Sequence, residues 1–308
     1  MKENNRVVVI VVTYNRKRLL ERCLNALYAQ TVSPFLICVV DNASTDGTDR
    51  WMASYQKEHP KTLSFLPLPN NIGGAGGFCR GFQWALEKPD WDWLMVMDDD
   101  AAPAPDYTEK LLAQSQCHPE VKCFTGTEYV GDTDRISYGS RRIIEKERTV
   151  RTVLVPPEWY NRSLFYVDTA TFVGLMMHRG VVEKAGCPDE SLFIYYDDTD
   201  YCLRLRPYTG ILHVTDACMV HREADEADKR VSHTPAWRRY YLFRNEYVIK
   251  KRYIRNWFIR YGWIGKTYLR SVLQIQKSEE DKKENLALVT RATMDALLNR
   301  LGKSEYFS

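Results

Sequence analysis

The sequence predicts an α/β fold, a sheet flanked by helices, and three observations carry the prediction. Strand, helix, strand and helix patterns follow one another within the first 60 residues. The first of these strands, VVVIVV at 7–12, is apolar throughout rather than alternating, which suits a parallel strand covered on both faces. Polar clusters then stand directly after three of the apolar runs, where open α/β sheets bind their ligands.

Thr13, Tyr14, Asn15 and Arg16 follow the first strand. Residues 19–30 carry Leu20, Leu24 and Leu27 at helical spacing. A second strand, 35–40, runs into Asp41, Asn42, Ala43, Ser44, Thr45, Asp46 and Gly47, and Asp46 or Thr48 is placed to cap the helix that continues through Trp51 and Tyr55. Asn70, Asn71 and Ile72 lead into Gly73, Gly74, Ala75, Gly76 and Gly77, four glycines in five positions, with a helix expected over 80–86. Glycines let backbone N–H groups approach a ligand, and a helix N-terminus favours phosphate. The stretch matches neither a Walker loop nor GxGxxG, and close packing against the sheet is the competing explanation.

The acidic stretch WDWLMVMDDDAAPAPD, 91–106, organises the chain. An apolar strand over 94–97 ends in Asp98, Asp99 and Asp100, and strand alternation sends Asp98 and Asp100 to one face and Asp99 to the other. Two carboxylates so placed can share a hard cation, Mn²⁺ or Mg²⁺, whose open positions a diphosphate would fill. A solvated acidic turn is the bland reading, which the preceding apolar strand disfavours.

VTYNR at 12–16, VVDNASTDGT at 39–48 and the acidic strand end at 98–100 together resemble the inverting glycosyltransferases of family 2, which have the GT-A fold. NNIGGAGGF at 70–78 and MDDDA at 97–101 are similar, more narrowly, to bacterial galactofuranosyltransferases that use UDP-galactofuranose. The resemblance covers most of residues 6–250. It implies a GT-A-like, Rossmann-like mixed sheet flanked by helices, with Thr13, Arg16 and Asp41 on the uridine and its phosphates, and Tyr14, Asn42, Asn71, Gly73, Gly74 and Asp99 beside them in the donor site. It implies Asp98 and Asp100 as metal ligands, with His221 as a third. It also implies a base at the paired acid Asp197 and Asp198, the second being the usual one; many members have Glu where Asp197 stands.

Residues 120–165 are less legible, with a β excursion expected over 136–144 and no choice between an acceptor-shaping insert and a surface hairpin. SLFIYYDDTD at 191–200 reads as an aromatic strand-like segment before the acid pair, and a helix cap is the alternative role for Asp197 and Asp198. His221 closes an apolar run over 211–220, where a structural histidine is the alternative.

At 308 residues, 44% hydrophobic and 27% charged, the chain is of ordinary globular composition. Eight scattered cysteines without a CxxC are expected to be reduced and to hold no zinc. No leader and no long apolar stretch is evident, which gives the expectation of a cytoplasmic protein that spans no membrane. The net charge of +3 conceals an asymmetry: residues 237–277 hold seven Arg and four Lys against Glu246, a net of +10, leaving −7 elsewhere.

Residues 236–308 are therefore set apart from a catalytic domain over 1–235 as a basic, aromatic helical appendage. Tyr240 to Val248 are expected to pack an apolar face with Lys and Arg outside. Trp257, Phe258, Trp263 and Tyr268 with Arg255, Arg260, Lys266 and Arg270 suit an anionic membrane surface, at the inner face of the cell membrane. No nucleic-acid motif accompanies the patch. The reading is a metal-dependent inverting transferase moving galactofuranose from UDP-galactofuranose to a glycan or lipid-linked glycan acceptor in bacterial surface polysaccharide synthesis. A dTDP-rhamnose-dependent rhamnosyltransferase is the near rival; a nucleotidyltransferase and a non-catalytic sugar-binding protein are the rivals of other classes. Assembly state is left open, with an oligomer compatible.

Overall fold

The first half of the chain gives β1 (Val7–Thr13), α1 (Lys17–Tyr28), β2 (Leu36–Asp41), α2 (Thr48–Glu58), β3 (Leu63–Pro67), α3 (Gly73–Leu86), β4 (Trp93–Asp98), β5 (Ala101–Pro103), α4 (Tyr107–Cys117) and β6 (Cys123–Val130). The second half gives β7 (Arg141–Lys146), β8 (Arg151–Leu154), β9 (Leu164–Val167), β10 (Thr169–Ala170), β11 (Leu175–His178), α5 (Arg179–Ala185), α6 (Asp197–Leu205) and β12 (Ile211–His221), then α7 (Ala236–Tyr253), α8 (Trp257–Lys277) and α9 (Lys282–Leu297). This computed structural model describes residues 5–131, 133–222, 235–277 and 281–307.

β1 is fully buried and pairs in parallel with β2 and β4, as its continuous apolar run predicts. Its side chains alternate between two cores: Val7, Val9 and Val11 pack with Leu20, Leu24 and Leu27 of α1, whereas Val8, Ile10 and Val12 pack with Phe78 and Phe82 of α3. Burial of these six side chains contributes roughly 10 kcal/mol, an upper value because denatured chains already bury some of that surface. The sheet has nine strands in the order β3-β2-β1-β4-β11-β6-β12-β5, with β9 also on β12. It is mixed, because β11 runs antiparallel to both β4 and β6. A small second sheet, β10-β7-β8, contains part of the expected β excursion; Tyr138–Ser140 before it form a 3₁₀ turn.

The far edge of β12 is divided. Ile211 to Val214 pair with β9, and Met219 to His221 pair with β5. Between these halves β12 bulges against β6, passing from Val214↔Gly126 to Cys218↔Thr127. Gly126 permits this, since a Cβ there would lie 2.1 Å from the carbonyl oxygen of Ala217.

The glycine-rich stretch differs from the expected loop. It is the start of α3, which begins at Gly73 rather than near residue 80. The reason is close packing of the helix on β1: a Cβ at Gly77 would stand 2.6 Å from Val12 Cγ1, and one at Gly81 2.4 Å from Ile10 Cγ2. The segment before α6 is likewise no strand but a 3₁₀ turn, Glu190–Leu192, followed by Phe193, Tyr195 and Tyr196 with φ of 67°, 66° and 68°. The expected exposure of all the appendage cations is also corrected, because Arg244 and Lys250 of α7 are buried. Each finds backbone acceptors there, Leu192 and Gly302 for Arg244 and Val150 for Lys250, which offsets the cost of desolvation.

Helix α7 packs Tyr247 and Val248 against Ala75 of α3 and Leu192. The boundary expected at residue 235 adjoins residues 223–234, which lie outside the described part. All eight cysteines are free. Among the described residues no helix is long and apolar enough to cross a membrane.

Candidate active site

The carboxyl ends of β1, β2 and β4 form one rim, and a cavity of about 470 Å³ opens over it. Thr13, Tyr14, Arg16, Asn42, Asp98 and Asp99 line its sheet side. Asn71, Gly73 and Gly74 line it from the start of α3, where Asn71 Oδ1 accepts from the Gly73 N–H at 2.8 Å. Asp41 is buried beneath this rim and accepts from the Ser44 backbone N–H at 3.1 Å and from its hydroxyl. Asp46 accepts from Thr48 N and Oγ1 at 3.1 and 2.6 Å, with Gly47 as the residue at the helix start.

Asp98 and Asp100 lie together and Asp99 apart, although not by strand alternation, because β4 stops at Asp98 and a turn carries the next two. Carboxylate oxygens of Asp98 and Asp100 and a ring nitrogen of His221 all lie within 4.8 Å of one another. Asp99 points to β1, where it accepts from Thr13 Oγ1 at 2.6 Å and from Arg16 at 3.4 Å. Arg16 also donates to Asp100 Oδ2 at 2.6 Å. His221 reaches Asp100 through Nε2 at 3.1 Å and Glu128 through Nδ1 at 3.4 Å.

Charge is crowded here. Burial, then repulsion by Asp100, holds the Asp98 carboxyl well above the usual carboxylate range. Burial and Asp100 push Asp99 up to about 7, against the pull of Arg16 and Thr13. Burial opposes a charged imidazole at His221, yet Asp100 and Glu128 bonded to it raise its pKa to about 11. A cluster that favours positive charge this strongly, with two hard oxygen ligands and an imidazole, fits a divalent cation such as Mn²⁺ or Mg²⁺.

Behind His221 is a buried network that the sequence reading missed. Glu128 and Arg141 are both about 1% exposed at the side chain and pair at 2.6 Å. Ser140 and Thr171 donate further bonds to Glu128 at 2.7 and 3.0 Å. A lone acid inside the run CFTGTEYV was the available signal, since an unpaired charge does not stay inside a central strand.

The acid pair opens α6 under Tyr196. Burial and Asp198 push Asp197 up to about 8, against the helix N–H groups, and its charge is felt at Asp98. Burial also raises Asp198, opposed by its bonds from Thr199 and by Arg142. Residues 193–198 form a wall between two cavities: Phe193 and Ile194 face the one over the rim, and Tyr195, Tyr196 and Asp198 face a second of about 870 Å³. Asn245 of α7 pins this wall by donating to the carbonyls of Leu192, Ile194 and Tyr195 at 3.0, 2.8 and 2.9 Å. Trp237, Arg238 and Tyr241 of α7 and Lys303 also line the first cavity. Periodicity and composition alone do not point to these appendage residues.

The chain is 29% identical over 201 residues to galactofuranosyltransferase GlfT1 of Mycolicibacterium smegmatis, an alignment spanning 65% of this chain and 65% of the relative. It is 27% identical over 256 residues to the dTDP-rhamnosyl transferase RfbF of Shigella flexneri, spanning 81% of each. In three dimensions it matches the crystal structure of GalNAc-T7 with UDP, GalNAc and Mn²⁺ at a TM-score of 0.64 and 14% identity, over 93% of this chain and 55% of that one, so the fold is GT-A-like. The family model "Glycosyl transferase family 2" matches residues 8–177, which include all but the first residue of β1, the acidic turn and the three helices between them, and the chain belongs to that family.

Proposed function

We propose that this glycosyltransferase moves galactofuranose from UDP-galactofuranose, with inversion, to a hydroxyl of a glycan or lipid-linked glycan. One observation carries the reading: the wall 193–198 separates a cavity lined by Asp98, one member of the Asp98, Asp100 and His221 cluster, from a cavity lined by Asp198. Inversion needs leaving group and attacking hydroxyl on opposite faces of the sugar, and a cavity on either side of this wall supports that arrangement.

The donor lies over the rim, with Thr13, Asp41 and Asn42 toward the nucleoside and Arg16 toward the phosphates. Asp98, Asp100 and His221 would hold Mn²⁺ or Mg²⁺, which would supply the positive charge that offsets the leaving diphosphate. Asp198 takes the proton of the acceptor hydroxyl as its oxygen bonds to the anomeric carbon and the bond to the diphosphate breaks, releasing UDP. Asp197, buried beside Asp198 and felt electrostatically at Asp98, holds the acceptor. The similarity to a galactofuranosyltransferase supports the donor sugar. The rhamnosyl transferase, aligned over more of both chains, supports dTDP-rhamnose as a second reading.

Exposed Trp257 and Phe258 beside Arg255 and Arg260 support peripheral attachment to an anionic membrane at its cytoplasmic face. Mass spectrometry of products formed from UDP-galactofuranose, UDP-galactopyranose or dTDP-rhamnose over a lipid-linked acceptor extract tests the donor. Transfer from UDP-galactofuranose alone is expected; transfer from dTDP-rhamnose alone would replace this reading with the second.

A further inference from the structure

The second cavity carries more positive charge than a base and a neutral sugar require. Six cations line it, Arg142, Lys146, Arg151, Lys250, Lys266 and Arg270, against the carboxylates Asp198 and Glu246. Two of the six are engaged: Arg151 pairs with Glu145 at 3.0 Å, and Lys250 donates to the Val150 carbonyl. Arg142, Lys146, Lys266 and Arg270 make no ion pair among the described residues. They converge from two sides, Arg142 and Lys146 from β7, and Lys266 and Arg270 from one face of α8, one turn apart. Like charges gathered in a concave site repel one another and focus a field that attracts an anion. At about 870 Å³ the cavity has room for a saccharide with a charged group attached.

We infer that the acceptor is anionic, carrying a phosphate or diphosphate group that seats on Arg142, Lys146, Lys266 and Arg270 while one of its hydroxyls meets Asp198. The inference rests on the reading of Asp198 as the acceptor-side base. A phosphate is recognised by several cations at once, bidentately by arginine, and six cations against the two acids Asp198 and Glu246 leave an excess of positive charge for it. A neutral glycan would leave all four unpaired. The phosphate belongs either to a polyprenyl diphosphate linkage or to a soluble glycan phosphate, and the cations treat these alike.

The test is calorimetric titration of the full-length protein in EDTA with inorganic phosphate and, separately, with farnesyl diphosphate in detergent micelles. Both probes are expected to bind, or farnesyl diphosphate alone if the linkage must be to lipid. The double variant Lys266→Gln/Arg270→Gln, at exposed positions that do not hold the fold, is expected to weaken binding at least tenfold, and Arg16→Gln, in the other cavity, to leave it unchanged. Absence of binding to the wild type, binding that survives the double variant, or loss of binding in Arg16→Gln would each overturn the inference. UDP titrated with Mn²⁺ reports separately on the donor site: it should bind the double variant as it binds the wild type, and its failure to bind the wild type would overturn the donor reading alone.

Discussion

Asn245→Ala should disable transfer without emptying the donor pocket. Asn245 is fully buried, and its amide nitrogen has two protons for the three carbonyls of Leu192, Ile194 and Tyr195, while its oxygen accepts from Arg244 Nε at 2.9 Å. The bonds hold three non-glycine residues in the left-handed region, where each costs about 1–2 kcal/mol. Loss of a partner for a buried carbonyl costs about 1–3 kcal/mol, less where water enters the space left by the side chain. A destabilisation of about 3 kcal/mol is therefore expected in urea titration. The wall relaxes toward extended backbone and carries Asp197 and Asp198 with it, and a displacement of about 1 Å lowers turnover by about 10²-fold. UDP affinity, measured with Mn²⁺ by calorimetry, should fall less than turnover, because the rim residues on β1 and β4 do not depend on Asn245. Stability within about 0.5 kcal/mol of wild type together with unchanged turnover would refute the reasoning, since neither strain nor lost bonds of these sizes allow it.

Asp98→Ala and Asp100→Ala should each abolish transfer and weaken metal-dependent UDP binding, with Asp99→Ala milder because its carboxylate is turned to Thr13; unchanged metal-dependent binding in both outer variants, read by calorimetry, would exclude the metal site. Asp198→Asn should cut turnover by orders of magnitude at near wild-type UDP affinity, and Asp197→Asn should chiefly raise the KM for acceptor; full turnover in Asp198→Asn would move the base to Asp197. Arg141→Met should cost about 3–5 kcal/mol because it strands the buried Glu128, and adding Glu128→Gln should recover much of it in denaturant titration; a single-variant loss below about 1 kcal/mol would mean that the pair is not buried as described. His213 is wholly buried, and burial first, then Arg141, lowers its pKa to about 2, so below the unfolded value of 6.5 only the unfolded chain takes up this proton. Stability should then fall by about 1.4 kcal/mol per pH unit below that value from this residue, and His213→Gln should flatten the slope by one proton.

The elements that meet the sheet rim were legible because local chemistry alone defines them. The run Val7 to Val12 has a single outlet for so much apolar surface, and the acids after β4 can only emerge where that strand stops. The glycines of α3 misled because glycine suits both a ligand loop and a helix pressed onto a strand, and only the neighbours Val12 and Ile10 decide between them. Phe193 to Tyr196 read as a strand from their aromatic composition, yet Asn245, about 50 positions later, imposes the left-handed backbone. Arg244 and Lys250 were assigned to solvent because burial of a cation depends on acceptors that the chain supplies from elsewhere.

The bulge in β12 has a consequence for how such chains can change length. Three residues, Thr215, Asp216 and Ala217, are inserted between Val214 and Cys218 against a single step on β6, and four positions beyond them stands His221, facing Asp100 and Glu128. Side chains along a strand alternate in parity, so loss or gain of one residue in the bulge would turn the imidazole to the opposite face of the sheet, whereas a change of two would preserve its direction. Insertions and deletions at this place should therefore come in even numbers wherever the histidine is kept, and an odd change should appear only together with the loss of His221 or with a compensating slip of β12 against β5.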